Sequence, residues 1–402
     1  MIVCMSAAGA SAPSEKLDLR PVILTIAVAT TGVLPAFLTG GMAVQITAEL
    51  GFGAAYLGLA VALFFTSAAL SSVFMGRFVE RAGSHTGMRV AAIISAVSML
   101  GIALFARSWS LLVVFLMIGG FANSMSHPAA NLSLAREVPA SRQGLSFGIK
   151  QSAIPTATLF AGLAVPLVAV TLGWRWAFVL GAFIACAFVF LVPKHEHPVV
   201  AKPAGKGGGK VRLRSLILLT FGFGLGSMAA TPLGSFVVAW SVESGIRVET
   251  AGYLLAAGSA LSIFVRVLSG HLADGLSGGR LRIVAAMLAV GVAGFLLLAT
   301  GAPAAIVAGT LLAFAAGWGW PGLFNFAVVK SSSAAPAAAT GITQTGASSG
   351  AALGPLAFGF MVEATSYNAA WSVCGFLALA ALVAILAGRS MHLRDLRLDP
   401  AP

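Results

Sequence analysis

The chain has 402 residues, of which 58% are hydrophobic and only 9% are charged, and its mean hydropathy is +0.97. Soluble domains carry about 25% charged residues, so this composition excludes an ordinary water-soluble enzyme. The net charge is +12, but the basic residues lie in the connections between apolar segments. We therefore expect a lipid bilayer, and no nucleic acid, as the partner of this surface.

Twelve apolar segments follow one another along the chain, each about as long as a bilayer crossing requires. A membrane barrel would show short segments of alternating hydrophobicity, so these segments are predicted to be helices. The predicted fold is an all-α integral membrane protein whose twelve transmembrane helices form two six-helix bundles. The segments are residues 21–48, 53–75, 88–106, 110–135, 144–170, 175–192, 215–240, 250–272, 282–300, 303–330, 338–363 and 369–388.

The two groups of six segments are separated by a linker rich in glycine, proline and lysine, a composition typical of flexible chain. The predicted domains are an N-terminal bundle over residues 20–192 and a C-terminal bundle over residues 215–390. Between them lies a cytoplasmic linker, residues 193–214. The cytoplasmic tails are residues 1–19 and 391–402.

The basic residues predict the orientation in the membrane. If the N-terminus is cytoplasmic, 21 of the 24 lysines and arginines fall in cytoplasmic connections or at cytoplasmic helix ends, and the others are Arg107, Arg175 and Arg247. Basic residues concentrate on the cytoplasmic side of membrane proteins, so both termini are predicted to be cytoplasmic, in a bacterial inner (plasma) membrane. The three cysteines provide no disulfide framework, and no metal or cofactor is expected.

Two connections 194 residues apart carry related sequences. The second segment is followed by GRFVERAGSHTGMR, which begins at Gly76, and the eighth by GHLADGLSGGRLR, which begins at Gly270. With the two six-helix halves, this repeat resembles the major facilitator superfamily, in which a G-x-x-x-D-R-x-G-R-R-like loop follows the second helix of each half. The resemblance covers residues 20–390. It implies a secondary transporter that works by alternating access, with its substrate between the halves.

The repeated loops are predicted to form a gate. Glycine allows two helices to approach closely. The carboxylates of Glu80 and Asp274 can accept hydrogen bonds from arginines across the contact between the halves. The first copy has Glu80 in place of the usual aspartate, and the second has Gly275 in place of the usual arginine. The predicted gating residues are Gly76, Glu80, Arg81, Gly270, Asp274 and Arg280.

The run from Asn131 to Pro166 resembles bacterial permeases near the cyanate and nitroimidazole branch of the superfamily, a resemblance that implies little about the substrate. The run includes the fifth segment, which is rich in small residues, as is the eleventh. We predict that these two helices form a gating pair, packed closely through Gly162, Gly350 and Gly354.

Polar side chains inside the segments are expected to line a cavity, because they are costly in hydrocarbon. Three of them, Asn123, His127 and Asn131, share one helical face. At about 1.5 Å per residue, His127, Lys150 and Arg266 lie about 12 to 13 Å from the cytoplasmic helix ends. No acid lies at that depth, so the two cations require an anion. The predicted substrate-binding residues are Arg266, Lys150, His127, Asn123, Asn131, Gln151, Gln344, Asn325 and Trp318.

These residues predict a secondary active transporter of a small organic anion, a carboxylate, with proton symport by a monomeric protein. The planar fork of Arg266 matches a carboxylate, and His127 titrates near neutral pH and is the candidate for proton coupling. Arg266 lies four residues before the motif glycine, Gly270. In this position it resembles the arginine that holds the carboxylate in monocarboxylate and oxalate transporters. Ser262 stands where monocarboxylate porters have an acid.

Other interpretations remain open from the sequence. Lys150 and Arg266 can instead reach the membrane surface by snorkelling, and Trp318 can serve helix packing alone. The principal alternative function is drug or metabolite efflux by proton antiport. Drug antiporters usually carry an arginine in the fourth helix, near the positions that Leu116 and Met117 occupy here. A receptor or scaffold that has lost transport is a third possibility.

Overall fold

The computed structural model describes residues 19–137, 149–193, 213–274, 279–332 and 336–398. All regular secondary structure in these ranges is helical, and two π-helical segments, Val165–Ala169 and Ala313–Gly317, interrupt it. The α-helices are α1 (Leu19–Gly41), α2 (Ala43–Leu50), α3 (Ala54–Ala82), α4 (Ser84–Phe105), α5 (Trp109–Glu137), α6 (Ala153–Ala164), α7 (Trp174–Leu191), α8 (Leu213–Glu243), α9 (Val248–Asp274), α10 (Arg280–Leu298), α11 (Pro303–Leu312), α12 (Pro321–Ser331), α13 (Pro336–Ala364) and α14 (Tyr367–Leu398).

The helices make twelve passes through the bundle, as predicted. Among the described residues, 10 helical stretches are long and apolar enough to cross a membrane, and α11 and α12 together form one of them. The shorter apolar stretch Ala153–Ala169 and the 29-residue helix α13 provide the other two passes. The prediction of an all-α, twelve-helix membrane protein is confirmed. The last helix runs past residue 390, to Leu398.

The tenth pass is broken between its π-helical segment and α12, and proline chemistry explains the break. Pro321 has no N–H to donate to the carbonyl of Gly317, four residues earlier. The indole N–H of Trp320 donates to that carbonyl instead, at 2.9 Å. Gly291 of α10 packs against the same bend, where an added Cβ would lie 2.5 Å from the Gly317 Cα. A close glycine contact therefore accommodates the break.

The passes alternate in direction, which defines two ends of the bundle. We call one the termini end, because α1 begins there at Leu19 and α14 finishes there at Leu398. The opposite end is the far end, where Trp240 donates to the Leu298 carbonyl at 2.9 Å and Trp174 donates to Glu49 at 2.6 Å. The turns of the far end lie at residues 51–53, 106–108, 170–173, 244–247, 299–302 and 365–366.

The two halves meet closely near the far end. The main helix pairs that cross between the halves are α3 with α13, α6 with α9, and α1 with α8. At Gly162 of α6, an added Cβ would lie 2.6 Å from the Ala256 nitrogen and 2.8 Å from the Gly252 oxygen of α9. Gly58 of α3 approaches the backbone of Pro355 in α13 in the same way. Backbone therefore faces backbone across this part of the interface.

The predicted pairing of the fifth and eleventh helices through their glycines is wrong. Gly162 faces α9, whereas an added Cβ on Gly354 would lie 2.5 Å from the Met228 oxygen of α8, and one on Gly350 would lie 2.8 Å from the Met228 nitrogen. Small residues mark a close helix approach, but they do not specify the partner helix. The partner depends on how the whole bundle packs.

The interface is open at the termini end. A Cβ added at Gly76 of α3, Gly270 of α9 or Gly341 of α13 would meet no atom within 4 Å. Gln344, farther along α13, is exposed. Among the described residues, the halves are thus in contact near the far end and apart near the termini end.

Candidate functional site

A lysine and a histidine meet in the interior of the first half. Lys150 lies just before α6 and is 6% exposed, and its Nζ is 3.1 Å from Nδ1 of His127 on α5. These residues are 23 positions apart in the chain, and the contact joins the fifth pass to the fourth. Lys150 therefore ends inside the protein and does not reach the membrane surface in this conformation.

Arg266 of α9 links the two halves. Its side chain is 4% exposed, and its guanidinium donates to the Gln151 carbonyl at 2.6 Å and to the Trp318 carbonyl at 2.5 Å. Gln151 belongs to the first half and Trp318 to the second. The two bonds hold the guanidinium inside the bundle, so Arg266 does not snorkel in this conformation.

Helix breaks supply both of the carbonyls that Arg266 uses. The Gln151 carbonyl would accept a helical hydrogen bond from residue 155, but this residue is Pro155 and has no N–H. The Trp318 carbonyl lies in the turn between the π-helical segment and α12, where the backbone leaves the helix, with φ −120° and ψ −4°. Two irregular backbone segments thus present free acceptors to one arginine.

Several buried polar atoms beside these cations have no hydrogen-bond partner among the described residues. Buried polar atoms are nearly always paired, so an unpaired group calls for an explanation such as a ligand. Ser262 lies one turn before Arg266, Asn123 lies one turn before His127, and Ser152 follows Lys150 by two positions. The unpaired atoms are Nε of Arg266, Oγ of Ser262, Oγ of Ser152 and Oδ1 of Asn123.

The central layer, defined as His127, Lys150, Gln151, Arg266 and Trp318, is positively charged. The acidic side chains in the described part of the chain all lie near helix ends, far from this layer along their helices. They are Glu49, Glu80, Glu243, Glu249 and Glu363, and the side chains of Glu137, Asp274 and Asp395 lie outside the described residues. No described carboxylate therefore lies at the depth of the two cations.

Contacts bring together five of the nine predicted binding residues. Asn123 is buried one turn before His127, and its Oδ1 has no hydrogen-bond partner among the described residues. Asn131 and Gln344 are exposed and Asn325 is half-buried, and no hydrogen bond among the described residues joins these three to the cations. Asn131, Asn325 and Gln344 lie toward the open termini end of the interface.

The structure shows contacts that the sequence pattern does not predict. The Trp318 ring packs edge-on against Phe37 of α1, with ring centroids 5.7 Å apart, and lies 5.5 Å from the ring of Phe314. The hydroxyls of Thr158 and Ser259 are 2.7 Å apart across the halves. A phenylalanine within an apolar helix does not stand out in the sequence, so the pattern provided no reason to predict Phe37 as a site residue.

The predicted gating residues lie at the open termini end. Gly76 and Gly270 face open space, and Glu80 and Arg81 are exposed. The guanidinium of Arg280 lies 5.0 Å from the ring centroid of Phe326. The side chain of Asp274 lies outside the described residues. The close helix approach predicted for the two glycines is not present in this conformation.

Two six-helix halves, broken helices and a buried polar layer between the halves define a membrane transporter architecture. The sequence model of the Major Facilitator Superfamily matches residues 23–325. The chain belongs to this superfamily, and it is therefore a multi-pass membrane transporter and not an enzyme.

Solved structures share the fold. A bacterial homolog of the human lysosomal transporter Spinster, crystallised in an inward-facing and unoccupied conformation, has a TM-score of 0.70 and 17% identity, and the match covers 95% of this chain and 98% of that chain. A mutant of the nucleoside transporter NupG has a TM-score of 0.70 and 16% identity, with coverage of 91% and 99%. No curated protein sequence matches this chain significantly. At these identities, the likeness shows the fold alone.

Proposed function

We propose that this protein is a secondary active transporter that carries a small organic anion, a carboxylate, into the cell together with a proton. The observation that supports this proposal most is the pair of buried cations, Lys150 and Arg266, with no described carboxylate at their depth. Buried charges without a counterion are costly, and an organic anion between the halves would compensate both.

Arg266 provides the coupling between binding and movement in this proposal. Its guanidinium holds two neutral main-chain carbonyls, one from each half, while its Nε has no partner. A carboxylate accepts stronger hydrogen bonds from a guanidinium than a neutral carbonyl does. It would therefore displace the Gln151 carbonyl and release one link between the halves. A ligand shifts a conformational equilibrium only through such a difference in affinity for the two states.

The proposed orientation places the termini end in the cytoplasm of a bacterial cell and the far end outside the inner membrane. It is supported by the basic residues of the far end, which number only three: Arg107, Arg175 and Arg247. The structure would then be inward-open. Residues 20–192 and 215–390 would rock as two units in a monomer, and the gating residues of the repeated loops would come together in the opposite state.

A thermal-stability screen of the purified protein tests the proposal. The ligands are acetate, lactate, benzoate and succinate, with ethidium as a cationic probe, at pH 5.5 and pH 7.5. A ligand that binds the native state raises the midpoint of unfolding. We expect stabilisation by a carboxylate, stronger at the lower pH, followed by its uptake into proteoliposomes.

The matched variants are Arg266→Lys and Arg282→Lys. Arg266→Lys keeps the charge but loses the planar fork, so the carboxylate should bind about tenfold more weakly or worse. Arg282 is exposed at the start of α10, and its exchange should leave binding unchanged. Equal binding by both variants would contradict the role of Arg266. Stabilisation by ethidium alone would support efflux by proton antiport instead.

A further inference from the structure

The contact between Lys150 and His127 contains one shared proton. A lysine ammonium has donors and no acceptor, whereas a neutral imidazole has one donor nitrogen and one acceptor nitrogen. At 3.1 Å, Nζ and Nδ1 are within hydrogen-bond distance, so one of them donates and the other accepts. Protons on both nitrogens would point two N–H groups at each other and break this contact.

A cationic side chain bonds the backbone beside this pair. Helix α9 packs on α6 and contributes Arg266, whose guanidinium bonds the carbonyl of Gln151, the residue after Lys150. Helix α5 packs on α1, α3 and α4, whose described charged or titratable groups lie toward helix ends. These are Arg20, Tyr56, Arg77, Glu80, Arg81, His85 and Arg89. Arg266 bonds the backbone beside Lys150, and like charges repel, so Arg266 disfavours a second proton on the pair while the site is empty.

We propose that Lys150 and His127 form one proton-sharing unit that holds one proton in the empty site and takes up a second when an organic anion binds. The inference rests on the proposed function and adds the origin of its proton coupling. The carboxylate accepts a hydrogen bond from the Lys150 ammonium, and the Lys150–His127 bond breaks. His127 Nδ1 then takes a proton from solvent and forms an N–H bond.

The charge balance explains why the two ligands would travel together. A monocarboxylate adds one negative charge to the site, and the second proton adds one positive charge. The occupied site then carries the same net charge as the empty one, so each ligand reduces the electrostatic cost of burying the other. In this scheme Lys150 binds the carboxylate, and His127 carries the transported proton.

The first test requires no substrate. In protein labelled with nitrogen-15 at histidine, the His127 resonance is the one that disappears in His127→Gln. In the wild type, we expect Nδ1 to remain an unprotonated acceptor from pH 6 to pH 8. In Lys150→Met, we expect His127 to titrate on its own or change tautomer, because its donor is gone. Lys330→Met removes an exposed lysine near the end of α12 and is the matched control. Identical His127 spectra in wild type and Lys150→Met would overturn the proposal.

The second test counts protons. Benzoate binding is measured by calorimetry at pH 7 in two buffers of different ionisation enthalpy. We expect uptake of about one proton per benzoate by the wild type, and about none by His127→Gln. Binding without proton uptake would refute the shared-proton unit and leave the anion proposal intact. If benzoate and the other three carboxylates all fail to bind, the proposed function fails, and the histidine spectra still decide whether the pair shares a proton.

Discussion

The two ends of the contact between the halves use the same kind of residue in opposite ways. Toward the far end, Gly58 and Gly162 place backbone directly against backbone of the other half. At the termini end, Gly76 and Gly270 of the repeated loops have open space around them. A glycine interface has no side chains to interlock, so it can close and separate with little rearrangement. Glycine therefore marks positions where the halves can meet, and the conformational state decides which of them do.

Polar links extend the closed contact toward the middle of the membrane. The Thr158–Ser259 contact and the Arg266 bonds lie along the α6–α9 interface. The closed part is thus held by small residues near the far end and by specific polar links nearer the central layer.

The substitution with the largest expected effect on this comparison is Gly162→Val. The new side chain would meet the backbone of Gly252 and Ala256, which cannot move without separating α6 from α9. Overpacking of this kind costs about 1 to 3 kcal/mol, so the closed far end should lose about 5- to 150-fold in its equilibrium constant. Distances between spin labels at Arg107 and Thr250, exposed positions on opposite halves of the far end, should lengthen.

Gly76→Val is the control at the open end. No atom lies within 4 Å of an added Cβ there, so the label distance at the far end should not lengthen. The same substitution should hinder closure of the termini end and so reduce transport. If both variants lengthened the distance equally, the difference between the two ends would not depend on glycine packing.

A smaller effect is expected from the hydroxyl pair between the halves. Thr158→Val and Ser259→Ala each remove one partner of the 2.7 Å contact. A double-mutant cycle on the far-end distance distribution should give a coupling of about 1 kcal/mol, the usual contribution of a buried hydrogen bond. Thr171→Val, an exposed threonine that bonds only its own turn, should show no coupling with Ser259→Ala. Strict additivity of Thr158→Val and Ser259→Ala would mean that this contact does not hold the halves together.

The smallest effect is expected at an ion pair of the far end that lies within the first half. Burial acts to raise the pKa of the Glu49 carboxyl, but hydrogen bonds from Arg175 and Trp174 outweigh it, and the pKa is lowered. A lowered pKa stabilises the folded protein above the unfolded value of about 4.3, and this contribution is lost as the pH falls through the folded pKa. Because both side chains are partly exposed, the contribution should be about 1 kcal/mol or less.

The measurement is the difference in thermal midpoint between wild type and Glu49→Gln from pH 6.5 to pH 3.5. It should be constant near neutral pH and shrink below about pH 4.3. Glu243→Gln, at an exposed carboxylate of the same end, provides the control. If the difference in thermal midpoint between wild type and Glu49→Gln grew toward acid pH, the pKa of Glu49 would not be lowered in the folded protein. Label distances across the halves should not change, because this ion pair does not cross between them.

Much of the architecture was predictable from sequence. The twelve helices were predictable because the composition of each segment decides whether it enters the bilayer. The orientation was predictable from the distribution of basic residues, and the two halves from the repeated loops. The same reasoning selected Lys150 and Arg266, because a charged residue within an apolar segment is exceptional. That Pro155 and Pro321 each leave a helical carbonyl without an N–H donor also follows from the sequence alone, because a proline has no N–H.

The partners of these groups were decided by tertiary structure. Lys150 meets His127 on the neighbouring pass, and Arg266 bonds carbonyls that lie 115 and 52 residues away in the chain. A proline in the sequence indicates that the carbonyl four residues earlier lacks its helical donor. The donor that bonds this carbonyl instead depends on how whole helices pack. The state of the interface, closed near the far end and open at the termini end, depends on how the two halves pack against each other. Local sequence pattern carries no information about this packing, so only the assembled halves show it.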